Sequence, residues 1–157
     1  MLLSALFVLN AHAIDVAKPQ PLARDTEIGW KRRIGAGVVV GQPIGLTGKG
    51  YFDKRGRHAV DASIGMQVRG GSYGHASYLF HPFPLVRSTS FELPWHIGGG
   101  AFWGTAQKTV GFRGSVGLDL DITDTPIQVF ADVYSGLGLA PSAGLGLGLS
   151  AGARYYF

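Results

Sequence analysis

His75 and Ser77 stand two residues apart, so on an extended strand both side chains point to the same side. A serine beside a histidine is the nucleophile–base pair of many hydrolases. It works when the base lies within about 3 Å of the hydroxyl and a third group orients it. Three histidines, His75, His81 and His96, could offer imidazoles to an interior metal, but their spacing matches no recognised metal motif. On neighbouring antiparallel strands His96 is expected nearer Ser77 than a clean three-histidine set requires. Gly45-Leu-Thr-Gly-Lys49-Gly50 has the glycine content of a phosphate loop without its spacing, and no helix is expected to follow it. Lys54, Arg55 and Arg57 form the one basic cluster, too short for a nucleic-acid stripe. Cysteine is absent, which removes disulfides, thiolate metal centres and thiol catalysis. The residues therefore imply no cofactor, no metal and no nucleic-acid partner, with His75 and Ser77 the sole catalytic candidates.

The elements that hold these residues follow from composition and period. At 157 residues there is room for one domain. Only 15% of residues are charged, against about 25% in an ordinary soluble domain, and 25 glycines are about twice the usual share. A hydrophobic content of 46% argues against disorder. Residues 1–13, an apolar run closed by Ala11-His12-Ala13, read as a secretory signal peptide. Residues 14–27, with Pro19 and Pro21, read as an extended N-terminal tether, and residues 28–157 as the folded domain. No stretch reaches the roughly 20 apolar residues of a membrane-spanning helix.

Within the domain the period is two. From Val110 to Ile122 the even positions are apolar or glycine, while the odd ones include Arg113, Asp119 and Asp121. Ile127–Leu139 and Leu145–Phe157 repeat the pattern. Five earlier segments are placed near Arg33–Val40, Ile44–Phe52, Ala59–Val68, Tyr73–Pro82 and Leu93–Trp103. Separators such as Gly41-Gln42-Pro43 and Thr123-Asp124-Thr125-Pro126 are rich in turn formers. The fold expected is all-β, an eight-stranded antiparallel up-and-down transmembrane β-barrel with strands of about ten residues. Its apolar register is read as carrying no charged, amide or histidine side chain between Ile34 and Phe157. The other register holds Lys49, Asp61, Arg113, Asp119, Asp121, Asp132 and Arg154, which suit a lumenal polar network. Gln128 shares that register and is expected near one rim, with room for a charge. Trp30, Trp95 and Trp103 are expected in aromatic girdles at the two lipid–water boundaries.

Leu145-Gly-Leu-Gly-Leu-Ser-Ala-Gly-Ala-Arg-Tyr-Tyr-Phe157 resembles the closing strand of bacterial outer-membrane β-barrels, which typically end in an aromatic residue. The whole pattern over residues 28–157 is similar to the small eight-stranded barrels of the OmpA/OmpX-like class, with much shorter extracellular links. That resemblance implies a barrel in the outer membrane of a Gram-negative-type bacterium, with both termini periplasmic. It implies contact with outer-membrane lipid and lipopolysaccharide, and an assembly signal at Leu149, Tyr155 and Phe157 read by the barrel-assembly machinery. His75-x-Ser77 is similar to the active strand of outer-membrane lipid A deacylases. That family has Asn directly after the serine, where this chain has Tyr78. The function expected is non-enzymatic, a structural or envelope-integrity role for a barrel whose lumen is plugged by side chains. The alternatives are an interaction subunit within a larger outer-membrane complex, a lipid A-modifying hydrolase, and a soluble lipocalin-like binder with the faces reversed.

Overall fold

The computed structural model describes residues 33–67, 70–106, 108–140 and 143–157. The expected signal peptide, the tether and Trp30 lie outside the described residues. The described chain forms nine strands and no helix: β1 (Ile34–Gly41), β2 (Ile44–Tyr51), β3 (His58–Met66), β4 (Ser72–Phe80), β5 (Pro84–Arg87), β6 (Phe91–Gly104), β7 (Thr109–Ile122), β8 (Ile127–Ala140) and β9 (Gly144–Tyr156). All pairings are antiparallel: each strand pairs with the next in sequence except β4, which pairs with β6 instead of β5, and β1 also pairs with β9. Because β4 pairs with β6, eight strands close into a barrel and β5 is left outside the ring. Closure removes the free edges that an open sheet would expose.

The barrel has the eight strands expected, and β5 is an additional strand outside it that the alternation does not signal. Pro82 and Pro84 break the alternation after His81, and prolines argue against a strand. However, β6 has 14 residues and β4 only 9, so the start of β6 has no barrel partner from β4. After a break at residues 81–83 the chain resumes beside that overhang, pairing Pro84 with Pro94 and Arg87 with Glu92. The strands are also unequal rather than uniformly about ten residues. The first four have 8 or 9, and β6 to β9 have 13 or 14.

The links at one end are short. The turn between β3 and β4 places Gly70 and Gly71 at φ 88° and 84°, where a side chain would be strained. It closes with Gln67 N donating to Gly71 O at 2.9 Å. At the other end, where β1 starts and β9 finishes, Phe157 N donates to Ile34 O at 3.0 Å.

Alternation divides the wall into two chemistries. Val38, Leu46, Ile64, Val116, Leu118, Val133 and Leu149 point outward and are exposed. Lys49, Asp61, His96, Arg113, Asp119, Gln128 and Arg154 point inward and are buried. Phe130, Tyr134 and Tyr156 fill much of the remaining bore. Three polar residues depart from the apolar face, Ser72 on β4, Ser135 on β8 and His58, and the histidine corrects the expectation of none on that register. His58 shares the outward parity of β3 and is sheltered by Tyr78, Phe52 and Phe80, with its Nδ1 2.5 Å from the Tyr78 hydroxyl.

Candidate functional site

The lumen is organised around Asp119, whose side chain is fully buried. Strand β7 carries it inward, and three other segments deliver its partners. Lys49 from β2 donates from Nζ to Asp119 Oδ2 at 2.5 Å. His81, just past the end of β4, brings Nε2 to 3.1 Å from the same oxygen and 3.0 Å from Lys49 Nζ. An ammonium only donates, so His81 Nε2 accepts from Lys49 and the ring proton sits on Nδ1. That nitrogen faces the Arg57 carbonyl at 3.4 Å. The lysine thus lies between two acceptors. From β6, His96 places Nδ1 at 3.3 Å from Asp119 and Nε2 at 2.8 Å from Asp132 on β8. Gly117 makes room for that second contact. A Cβ there would run into the Asp132 carboxylate and the His96 ring.

A second cluster surrounds Arg154 on β9. Its Nη2 donates to Asp61 Oδ2 on β3 at 3.0 Å and to Thr47 Oγ1 on β2 at 3.0 Å. Its Nη1 donates to Gln128 Oε1 at 3.3 Å, and the guanidinium lies 3.7 Å from the centroid of the Phe130 ring. Gln128 then donates to Asp121 at 2.7 Å and accepts from the Tyr156 hydroxyl at 2.9 Å. This overturns the expectation of a roomy rim position. Gln128 is 1% exposed and each end of its amide is already used. Arg113 makes no ion pair with either cluster among the described residues; it is stacked 4.2 Å from the centroid of Tyr134, and its Nε and Nη1 have no hydrogen-bond partners there.

All seven residues expected in the lumenal polar network therefore point into the barrel. Six of them fall into the two clusters, with Arg113 the exception. Four acids (Asp61, Asp119, Asp121, Asp132) face three permanent cations (Lys49, Arg113, Arg154), with His96 between two of the acids. His81, Gln128, Thr47 and Tyr156 complete the clusters. Their shared inward register is legible in sequence, but their choice of partner depends on strands far apart in the chain.

His75 and Ser77 do point the same way, and both are buried, 4% and 3% exposed. They do not meet as nucleophile and base. Ser77 Oγ and His75 Nδ1 have no hydrogen-bond partner, and His75 Nε2 turns to Asp61 at 3.6 Å. His96 is not near Ser77, as strand neighbourhood had suggested. Phe80 pairs with Ile97, which carries His96 beside His81, ring centroids 5.2 Å apart, while Ser77 faces Gly100.

Among the described residues, His81, His96 and Asp119 are the one set able to hold a metal, with ligand atoms all within 4.8 Å of one another. His75 is not in it. Lys49 already supplies a positive charge to the same Asp119 oxygen, while His96 Nδ1 and Asp119 Oδ1 have no hydrogen-bond partner among the described residues.

Outside the lumen, Trp103 and Trp95 lie on the outer face, Trp103 near the 105–108 link and Trp95 against Phe83 in an edge contact of 5.8 Å. Tyr155 and Phe157 pair edge-on at 5.3 Å beside the start of β1, and Leu149 is exposed further along the same face. At the turn between β2 and β3, Asp53 accepts from the backbone N–H groups of Arg55, Arg57 and His58 at 3.2, 3.0 and 2.8 Å. Partial burial pushes its carboxyl pKa upward, but those N–H donors outweigh it and hold the value below the ordinary aspartate range. No family model, curated protein or solved structure matches the chain.

Proposed function

We propose that this protein is an integral outer-membrane β-barrel, made after export, with a plugged lumen and a structural, non-enzymatic role in the envelope. One observation carries the reading, the inversion of the barrel. Its exposed outer wall is apolar, from Ile34 and Leu46 round to Leu149, while its buried interior holds the ions. Water outside would leave that apolar wall unfavourably exposed. Lipid outside makes it the low-energy face, and the closed ring pairs each barrel strand with a neighbour on both sides. The aromatic Trp95, Trp103, Tyr155 and Phe157 suit the boundary zones of such a wall.

The test compares locations and one substitution. The protein should partition with outer membranes and migrate differently on gels when boiled. Leu118, on the outer face of β7, should tolerate arginine badly, losing about 2–4 kcal/mol on folding into vesicles. On a soluble barrel the same exposed change would stay within about 0.5 kcal/mol. Recovery in a soluble fraction with Leu118→Arg neutral would refute the membrane reading.

A second reading, an interaction subunit of a larger membrane complex, is favoured by one feature of the outer wall. Register aligns Trp95, Leu118, Ala131, Ala151 and Val40 in one row across five strands. The two alanines leave an apolar hollow of about 700 Å³, with Leu85 of β5 also lining it. Co-purification in mild detergent of a partner that Ala151→Phe releases would favour this reading over the isolated barrel.

A further inference from the structure

The barrel end that carries β1's start and β9's finish has a cleft between the β2–β3 turn and the β5–β6 hairpin. Arg55, Arg57 and Arg87 line it, with Glu92 as the one acid and buried His81 beneath. Arg87 is paired with Glu92 at 3.3 Å. Arg55 and Arg57 meet no acid among the described residues. The nearest candidate, Asp53, is committed to three backbone N–H groups of the same turn. Positive charge is therefore in surplus there.

The walls are preorganised. Asp53 fixes the backbone of residues 55–58, and His81 ties the opposite side to it by donating from its backbone N to Arg57 O at 2.8 Å. Pro82, Pro84 and Pro94 also line the cleft, and their fixed φ leaves little freedom to lose on binding. The cleft is half open and small, about 30 Å³, with room for a compact group of a few heavy atoms.

We propose that this cleft binds a phosphate group. Planar guanidinium forks match the oxygens of a phosphate and bind it with charge-assisted hydrogen bonds, whereas a lone lysine offers only a point charge. Two guanidiniums without acid partners supply the charge, and the third is shared with Glu92. The phosphate has two sources. It is either free in solution or the headgroup phosphate of an anionic phospholipid, which at this height would reach the cleft from the membrane surface. The site stands on cleft geometry and does not depend on the plugged-lumen role.

The experiment uses the full chain in two arms. In neutral detergent, the thermal unfolding midpoint is followed as sodium phosphate replaces sodium chloride at constant ionic strength. In vesicles of mixed phosphatidylglycerol and phosphatidylcholine, the lipid retained on extraction is measured by native mass spectrometry. The double substitution Arg55→Gln, Arg57→Gln is compared with Lys108→Gln in the link between β6 and β7 at the opposite end. Both arginines are side chains on a turn held by backbone contacts, and boiled-versus-unboiled gel mobility checks that the variants fold. Free phosphate binding predicts a phosphate-dependent midpoint rise in wild type and Lys108→Gln that the double variant loses. Headgroup binding predicts preferential phosphatidylglycerol retention that falls about tenfold or more in the double variant alone. Phosphate also strengthens apolar burial generally, and a rise of equal size in all three proteins is that effect and not a site. Wild type with neither a specific phosphate response nor a phosphatidylglycerol preference overturns the proposal, whatever the variants do.

Discussion

Replacing Asp119 with Asn tests whether the barrel interior is held by charge pairing or merely filled. The substitution keeps the side chain's shape and removes its charge. Lys49 and Asp119 both have fully buried side chains, so the ammonium would be left in a dry interior facing His81 and a neutral amide. Breaking one half of a buried pair costs about 3–5 kcal/mol. The double variant Lys49→Met, Asp119→Leu removes both charges with similar volume, and such replacements are often neutral or better. It should lie within about 2 kcal/mol of wild type. The assay is reversible urea unfolding from lipid vesicles. With a slope of about 1–3 kcal/mol per molar, the single variant should move the midpoint by more than 1 M and the double variant by much less. A single variant within about 1 kcal/mol of wild type, or a double variant no better than the single, would refute the pairing account.

Three further outcomes follow from the same interior. Gly117→Ala should destabilise by about 1–3 kcal/mol, because its Cβ lands on the Asp132–His96 pair, whereas Gly146→Ala, with open space at its Cβ, should be neutral in the same urea titration. Lys49→Ala should convert His81, His96 and Asp119 into a zinc site, so zinc should raise its unfolding midpoint and leave wild type unchanged; equal responses would mean that the lysine is not filling that centre. In planar bilayers, neither wild type nor Arg113→Ala should show porin-like conductance, since eight strands enclose a bore that Phe130, Tyr134 and Tyr156 already occupy; stable large openings would make transport the leading function.

The architecture was legible because its signals are local. The alternation of Val110–Ile122 and of Leu145–Phe157 fixes which residues share a face, and turn formers mark where strands end. That was enough to predict antiparallel neighbours and a ring of eight. β5 escaped because its cue is not local: Pro84 looks like a break, and only the length of β6 reveals an unpaired stretch for it to cover. The register of β4 against β6 was lost for a related reason. A shift of a few residues decides whether His96 meets Ser77 or His81, and nothing in either strand's own sequence states the offset.

The same limit explains why membership of the lumenal network could be read while its wiring could not. Inward parity is a property of one strand, and all seven named charges obey it. Pairing across a closed barrel depends on the stagger of the whole ring, which brings Lys49 of β2 to Asp119 of β7 and Arg154 of β9 to Asp61 of β3. The glycines tie the two levels together. A Cβ at Gly37 or Gly65 would press on the backbone of the neighbouring strand, at Ala153 and Ile44 respectively, whereas one at Gly117 or Gly148 would displace a lumenal side chain. One set permits the close approach of the strands, and the other makes space for the ions and rings that fill the bore. A sequence so rich in glycine is thus consistent with a narrow, tightly staggered barrel whose interior is built around particular side chains. Substituting glycines of the second kind should disturb the charge network while leaving the strand register intact.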